Sequence, residues 1–168
     1  MPQGPPDLPR LAAALASEEV QYVLVGGLAL ILRGGRHVTF DADLAIAFNA
    51  ENRSRVVRAL APLNPRPMRL ATGAAWEWDE KCIRGAWTIW MTDAGRVDLI
   101  VRLPGVEKFD RLYDNSQVME LAGAKIRVAS LEDLLLMKSV SERPKDVNHC
   151  EEIRALLRLR AVGDGSND

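Results

Sequence analysis

Two aspartates separated by one residue lie inside an otherwise apolar run at positions 38–48, and these are Asp41 and Asp43. If the run is a strand, both side chains project from the same face, with α-carbons about 6–7 Å apart. Adjacent carboxylates repel each other, and a divalent cation between them removes the repulsion. Oxygen ligands of this kind suit Mg²⁺ or Mn²⁺. The alternative is a pair of solvated acids on a strand edge, because an Asp-x-Asp pattern is short and common.

A third acid has a similar setting. Asp98 lies within the apolar run 97–101. A carboxylate buried in a strand is costly unless it is paired, protonated or bound to metal. If this strand adjoins the first, three carboxylates meet at one or two ions, and Asp98 acts as a third ligand or as a general base.

A glycine pair precedes these acids. Gly26 and Gly27 separate a β-rich run at 21–25 from a helical segment at 28–33. Glycine lets the backbone approach a phosphate closely, and a helix N-terminus favours an anion. A tight connection alone would also explain the pair. The order of glycine turn, helix and Asp-x-Asp strand favours a nucleotide-phosphate site beside a metal site.

A sheet must bring these residues together, and the local patterns predict one. We predict strands at 21–25, 38–48, 75–79, 86–92, 96–102, 117–121 and 125–128, with a loop or edge strand at 64–68. We predict helices at 10–16, 28–33, 51–60, 130–141 and 145–159. One hairpin has a three-residue loop, Asp93-Ala94-Gly95, and a second turns around Gly123. The predicted fold class is α+β, a mixed and mostly antiparallel sheet with flanking helices.

Length and composition limit the domain organisation, the location and the partners that we expect. The chain has 168 residues, 48% hydrophobic and 27% charged, with a net charge of −1. We expect a flexible lead-in at 1–9, a single domain at 10–162 and a disordered tail at 163–168. No apolar run reaches membrane-spanning length and no signal peptide is evident, so we expect a cytoplasmic protein without a membrane partner. Because there is no global basic field, a nucleic-acid partner would need a local patch.

The sequence resembles the polymerase β-type nucleotidyltransferase superfamily over residues 22–156, and within it the AbiEii/AbiGii-type toxin group and the minimal nucleotidyltransferases. The resemblance lies in VLVGGLAL at 23–30, RHVTFDAD at 36–43 and the later Asp98. It extends to Lys138 and to the Arg-Pro-Lys-Asp element at 143–146. Two departures are Gly27, where many relatives have serine, and the lack of the extended C-terminal helical domain of the full toxins.

The resemblance implies a nucleoside triphosphate such as ATP, a Mg²⁺ or Mn²⁺ cofactor, and a set of site residues. The implied catalytic and metal-binding residues are Asp41, Asp43 and Asp98. The implied nucleotide- or phosphate-binding residues are Gly26, Gly27, Arg36, Thr39, Lys138, Lys145 and Asp146. Structural alternatives stay open for several of these. Lys138 and Lys145 would then be solvated charges on helices. Asp146 would be an acid stabilised by the helix dipole in a first turn, and Arg36 and Thr39 would make turn hydrogen bonds.

The function implied is transfer of a nucleoside monophosphate to an acceptor hydroxyl on RNA, such as a tRNA end, or on protein. Such a protein would belong to a toxin–antitoxin pair with a cognate partner. One alternative is a non-catalytic antitoxin or regulatory module with the same fold. Another is an adenylyltransferase for a small molecule such as an aminoglycoside. An acidic pocket would favour a cationic acceptor, and a basic rim would favour RNA.

The aromatic and imidazole side chains are secondary candidates. Trp76 and Trp78 would share a strand face and stack a nucleobase, although burial in a core or dimer contact is the commoner role of tryptophan. Trp87 and Trp90 lie in the same sheet region and are expected in the core or in a dimer contact. His37 in a turn and His149 on the last helix are expected to be exposed rather than catalytic.

Overall fold

A computed structural model describes residues 4–68 and 75–164, which form one seven-stranded sheet and six α-helices. The helices are α1 (Leu8–Ser17), α2 (Gly26–Leu32), α3 (Ala50–Leu60), α4 (Phe109–Asn115), α5 (Leu131–Ser139) and α6 (Pro144–Asp164). The strands are β1 (Tyr22–Val25), β2 (Asp41–Ile46), β3 (Arg66–Pro67), β4 (Trp87–Thr92), β5 (Gly95–Ile100), β6 (Gln117–Leu121) and β7 (Ala124–Val128). Short 3-10 helices cover Ala61–Leu63 and Glu80–Cys82.

The strand order is β3-β4-β5-β2-β1-β7-β6. The pairs β2–β5 and β1–β7 are parallel, and the other four pairs are antiparallel. The predicted fold class, an α+β fold with a mixed and mostly antiparallel sheet, is confirmed. Of the two alternatives predicted for 64–68, loop or edge strand, the structure shows a short edge strand, β3.

The two faces of the sheet differ in chemistry. On β2, Ala42, Leu44 and Ile46 are no more than 1% exposed, whereas Asp41 and Asp43 on the opposite face are half-buried. Alternation along the strand therefore sends the apolar side chains into the core and the acids to the other face. The first helix, α1, packs against β7 and α3, while α2 packs against β2 and α5.

The predicted strand at 75–79 is wrong. Residues 75–78 have no regular structure, and Asp79 accepts a hydrogen bond from the backbone N–H of Lys81 at the start of a 3-10 turn. The indole N–H of Trp78 donates to the carbonyl of Val57 at 2.8 Å, so this aromatic residue is fixed by helix α3 rather than by a strand ladder. The shared strand face proposed for Trp76 and Trp78 is therefore absent.

Both hairpins form, but the first has a shorter loop than predicted. Thr92 pairs with Gly95, which leaves only Asp93 and Ala94 in the loop. A β-carbon on Gly95, whose φ is +105°, would lie 2.9 Å from the α-carbon of Pro6. In the second hairpin, Leu121 pairs with Ala124 and both loop residues have positive φ, as a two-residue turn of type I′ requires.

Several boundaries differ from the prediction. Helix α2 begins at Gly26, and β2 begins only at Asp41 because residues 36–40 fold back over the glycine pair. Helices α1 and α6 extend into the predicted lead-in and tail, while residues 1–3 and 165–168 of those segments lie outside the described part of the chain. The single-domain assignment stays a prediction. None of the described helices has the length and apolar composition to cross a bilayer.

Candidate active site

The sheet brings the three predicted acids together. Strands β2 and β5 are parallel neighbours, and their register places Asp43 beside Asp98 and Asp41 beside Arg96. One carboxylate oxygen from each aspartate lies within 4.8 Å of the others. We call these three residues the acidic triad. Asp98 is far from Asp41 and Asp43 in the sequence, and the pairing of β5 with β2 brings them together.

Arg96 is a site residue that the sequence analysis missed. Its Nε donates to Oδ1 of Asp98 and its Nη2 donates to Oδ2, both at 2.8 Å. The same Nη2 lies 3.7 Å from Oδ2 of Asp41. Because Asp98 is only 1% exposed, the guanidinium supplies the opposite charge that this buried carboxylate needs. The i, i+2 spacing of Arg96 and Asp98 on one strand was the available signal.

Trp87 is a second missed residue. It lies two residues before Ile89, which pairs with Asp98, so its side chain shares the face of the acidic triad. The indole N–H donates to Oδ2 of Asp98 at 3.1 Å, yet the residue remains 54% exposed. Core burial, the role favoured from the sequence, is therefore wrong for this tryptophan.

The three carboxylates have different hydrogen-bond partners. Thr39 donates through Oγ1 to Oδ1 of Asp41 at 2.6 Å, and Asp98 accepts from Arg96 and Trp87. No donor among the described residues hydrogen bonds to the carboxylate of Asp43. Burial raises the pKa of Asp43 to about 7, helped by the charges of Asp41 and Asp98 and opposed by Lys138 and Arg96.

These observations test whether the site suits a metal ion. The acidic triad supplies hard oxygen ligands close together, and burial together with the charges of Asp41 and Asp98 raises the pKa of Asp43. A divalent cation would compensate these charges, and Mg²⁺ and Mn²⁺ prefer such ligands. The residues present therefore fit a divalent metal.

Gly26 and Gly27, which we call the glycine corner, lie directly against the acids. Gly26 has a φ of +68°, and a β-carbon there would lie 1.9 Å from Oδ2 of Asp43. A β-carbon on Gly27 would lie 3.0 Å from Oγ1 of Thr39. Glycine is thus required for close approach to the strand and to the segment 36–40, in addition to any role toward phosphate.

Lys138 and Asp146 form an ion pair next to this site. Lys138 Nζ donates to Oδ1 of Asp146 at 3.0 Å, and the two side chains are 12% and 1% exposed. Ser141 and Arg143 donate to the other carboxylate oxygen. Burial raises the pKa of Asp146, but the hydrogen bonds from Ser141 and Lys138 outweigh it and bring the value to about 2.

The remaining predicted residues lie outside this contact network. Arg36 is exposed, and its backbone N–H donates to Oε1 of Glu152 at 2.5 Å. Lys145 is exposed and makes no ion pair with any described residue. The structure therefore joins the acidic triad, the glycine corner and Thr39, places Lys138 and Asp146 beside them, and leaves Arg36 and Lys145 without contact to the acids.

The two histidines are not the exposed residues expected from the sequence. The rings of His37 and His149 lie 4.3 Å apart, and Nε2 of His37 is 3.0 Å from the carbonyl oxygen of Gly27. Nδ1 of His37 is 3.5 Å from Oε2 of Glu152 on α6. Burial lowers the pKa of His149, with further contributions from Lys138 and His37. The pair connects α6 to the glycine corner.

A family comparison supplies the assignment that this geometry suggests. Residues 10–159 match the model of the family described as "Nucleotidyltransferase of unknown function (DUF6036)". The chain belongs to this nucleotidyltransferase family. The superfamily predicted from the sequence is thereby supported, and the particular likeness to AbiEii/AbiGii-type toxins stays a prediction. Among curated proteins, none matches this nucleotidyltransferase at a significant level.

Solved structures share its fold. A candidate nucleotidyltransferase from Thermotoga maritima is 20% identical with a TM-score of 0.52, and the match covers 90% of each chain. The lincosamide antibiotic adenylyltransferase LnuA, with lincomycin bound, is 15% identical with a TM-score of 0.58, covering 89% of this chain and 96% of LnuA. The antibiotic-resistance factor ANT(2'')-Ia is 17% identical with a TM-score of 0.53, covering 95% and 94%.

Proposed function

We propose that this nucleotidyltransferase uses a divalent metal to move a nucleoside monophosphate from a triphosphate, such as ATP, to an acceptor hydroxyl. The convergence of the acidic triad carries the proposal, because Asp43 has no hydrogen-bond donor of its own among the described residues and its pKa is raised to about 7. Such a site gains more from a bound cation than from solvent alone.

The acidic triad would hold the metal, and we assign to Asp98 the further role of accepting the acceptor's proton. When bound, Mg²⁺ or Mn²⁺ neutralises the triphosphate and acidifies the acceptor hydroxyl. The acceptor oxygen forms a bond to the α-phosphorus, the bond from that phosphorus to pyrophosphate breaks, and the hydroxyl proton passes to Asp98. Arg96 and Trp87 keep the Asp98 carboxylate oriented through this transfer.

The phosphates would lie over the glycine corner, where α2 begins. We assign phosphate contacts to Lys138, whose charge already acts on Asp43, and to Thr39 through its hydroxyl. Arg36 and Lys145 are assigned the outer part of the triphosphate, because they are exposed. Asp146 would contribute by holding Lys138 in place rather than by touching phosphate.

The acceptor can be RNA, such as tRNA, or a protein, and the resemblance to the toxin group supports a cytoplasmic toxin–antitoxin component with a cognate partner. A second candidate is an adenylyltransferase for a small molecule. It is supported by the fold shared with LnuA and ANT(2'')-Ia, which are named for antibiotic adenylylation and resistance.

Radiolabel transfer tests this function. The wild-type protein is incubated with each labelled nucleoside triphosphate and Mg²⁺, in parallel with total RNA, candidate proteins, an aminoglycoside or a lincosamide. We expect transfer to one acceptor class, and its loss in Asp41→Ala/Asp43→Ala. The control is Asp110→Ala/Asp114→Ala, which removes two exposed acids from α4. Transfer that survives in the double variant of β2 would contradict the mechanism, and so would loss in the control alone.

A further inference from the structure

The glycine corner and Trp87 lie on opposite sides of the acidic triad. Along the sheet, β1 and the glycine corner lie beyond β2, whereas β4 and Trp87 lie beyond β5. In the proposed reaction a triphosphate over the glycine corner approaches from the Asp43 side. The opposite side, where Asp98 and Trp87 are in contact, is then left for the acceptor hydroxyl.

Trp87 has the properties of a binding platform on that side. More than half of this large apolar side chain is exposed, although tryptophan is usually buried. Its N–H is bound to Asp98, so one edge of the indole is fixed while other atoms of the ring remain accessible. A flat ring that stacked on this indole would bring its attached hydroxyl close to the proton acceptor.

Two exposed arginines, Arg84 and Arg102, lie near Trp87 along the backbone. The carbonyl of Ala86, the residue before Trp87, accepts from the backbone N–H of Arg102 at 3.2 Å, and Arg84 lies two residues earlier. Both arginines are exposed, and neither forms an ion pair with any residue in the described ranges. Exposed arginines without an ion pair, close to an exposed tryptophan along the backbone, suit an anionic strand and disfavour a polycationic acceptor.

We propose that the acceptor is a single-stranded nucleic acid whose terminal base stacks on Trp87, whose phosphates contact Arg84 and Arg102, and whose terminal sugar hydroxyl faces Asp98. Exposed aromatic and basic side chains in this combination are how proteins hold single strands without reading their sequence. The inference rests on the proposed transfer reaction, and it chooses one acceptor class for the same site.

Fluorescence anisotropy with labelled ten-nucleotide RNA and DNA strands tests the platform without requiring turnover. At low salt we expect saturable binding, weakened about 10-fold by Trp87→Ala, because that variant loses the ring on which a base stacks. Trp87→Phe keeps a ring and should stay close to wild type in binding. Removing Arg84 and Arg102 together should reduce the salt slope by about 1.4, or about 0.7 for each phosphate contact.

Matched controls separate a specific platform from a general effect. Trp76→Ala removes another exposed tryptophan, and Arg154→Ala/Arg158→Ala removes two exposed arginines of α6. Binding in both controls should equal that of wild type. The proposal is overturned if no strand binds, if Trp87→Ala and Trp76→Ala have equal effects, or if kanamycin binds in place of the oligonucleotides. Stronger binding of RNA than DNA, or the reverse, would support it and identify the sugar.

A separate measurement keeps this proposal distinct from the proposed function. Equilibrium dialysis of each labelled nucleoside triphosphate with Mg²⁺ reports the triphosphate side, and binding should depend on Asp41 and Asp43. If one triphosphate binds in this way and no strand binds, the acceptor inference fails and the transferase function stands. If strands bind at Trp87 and none of the triphosphates binds, the nucleic-acid surface stands and the transferase function fails.

Discussion

The carboxylate of Asp43 occupies the space that a side chain at Gly26 would need. A β-carbon at position 26 would lie 1.9 Å from Oδ2 of Asp43 and 2.7 Å from its Cγ. The strand residue that binds the metal in our proposal and the first residue of helix α2 are therefore fixed against each other. Their contact places the acids and the phosphate corner in one unit.

Gly26→Ala should disturb this contact. The new β-carbon would clash with Asp43, and alanine would have to adopt a φ of +68°. We therefore expect a loss of about 3 kcal/mol in unfolding free energy. Gly123→Ala is the matched control, because its φ is +80° and a β-carbon there meets no atom within 4 Å. The control should lose about 1 kcal/mol. Urea unfolding measures both, and equal losses would show that the contact with Asp43 is unimportant.

Arg96→Met should destabilise the metal-free protein. The variant leaves Asp98 buried without its charged partner, which typically costs about 3–5 kcal/mol. Added Mg²⁺ should raise the melting temperature more in this variant than in wild type, since the ion replaces the lost cation. Arg66→Met, at the exposed pair with Asp93, is the control and should change stability by less than about 1 kcal/mol. A variant that Mg²⁺ stabilises no more than wild type would exclude this role for Arg96.

Asp43→Asn should alter the pH dependence of stability. In the folded protein burial raises the pKa of Asp43 to about 7, whereas an unfolded aspartate titrates near 3.9. The folded state thus holds this proton more tightly, and metal-free wild type loses stability as pH rises from about 4 through 7. A pKa difference of about three units corresponds to about 4 kcal/mol of unfolding free energy. Because the folded protein can relax around the charged carboxylate, we expect a loss of about 2 kcal/mol.

The measurement is chemical unfolding at pH 4 and pH 8 with chelator present. Asp43→Asn should be more stable than wild type at pH 8 and nearly equal at pH 4. Asp114→Asn, an exposed acid on α4, should show no such change between the two pH values. A constant difference between wild type and Asp43→Asn across this range would contradict the raised pKa.

Lys138 and Asp146 should behave as a coupled pair. Asp146→Asn leaves the mostly buried Lys138 without its charged partner and should cost about 3 kcal/mol. Lys138→Met should cost less, because Asp146 keeps its ion pair with Arg143 and the hydrogen bond from Ser141. The double variant should cost less than the sum of the two, which defines a favourable coupling energy. Lys145→Met, which removes an exposed lysine, is the control for loss of charge. Additive effects of the two substitutions would exclude the pair as a unit.

Local patterns predicted much of this fold because local forces produce them. The alternation around Asp41 and Asp43 placed both acids on one strand face, and the helix predicted from position 130 begins at Leu131, after the N-cap Ser130. The failure at 75–79 has an equally local cause. A segment rich in aromatic residues has strand-like composition. In the structure, however, Trp78 donates to a backbone carbonyl of α3 and packs against the ring of Trp90, and the segment does not pair with a neighbouring strand.

The sequence by itself determined which residues carry charge, which face of each strand they take, and where glycine permits a close approach. Only the tertiary structure decided that Asp43 pairs in register with Asp98, that Arg96 compensates that acid, and that Trp87 lies beside it. The physical reason is the distance along the chain over which each interaction acts. Alternation and capping act between residues a few positions apart, whereas strand order and buried charge pairing depend on which distant segments the core brings together.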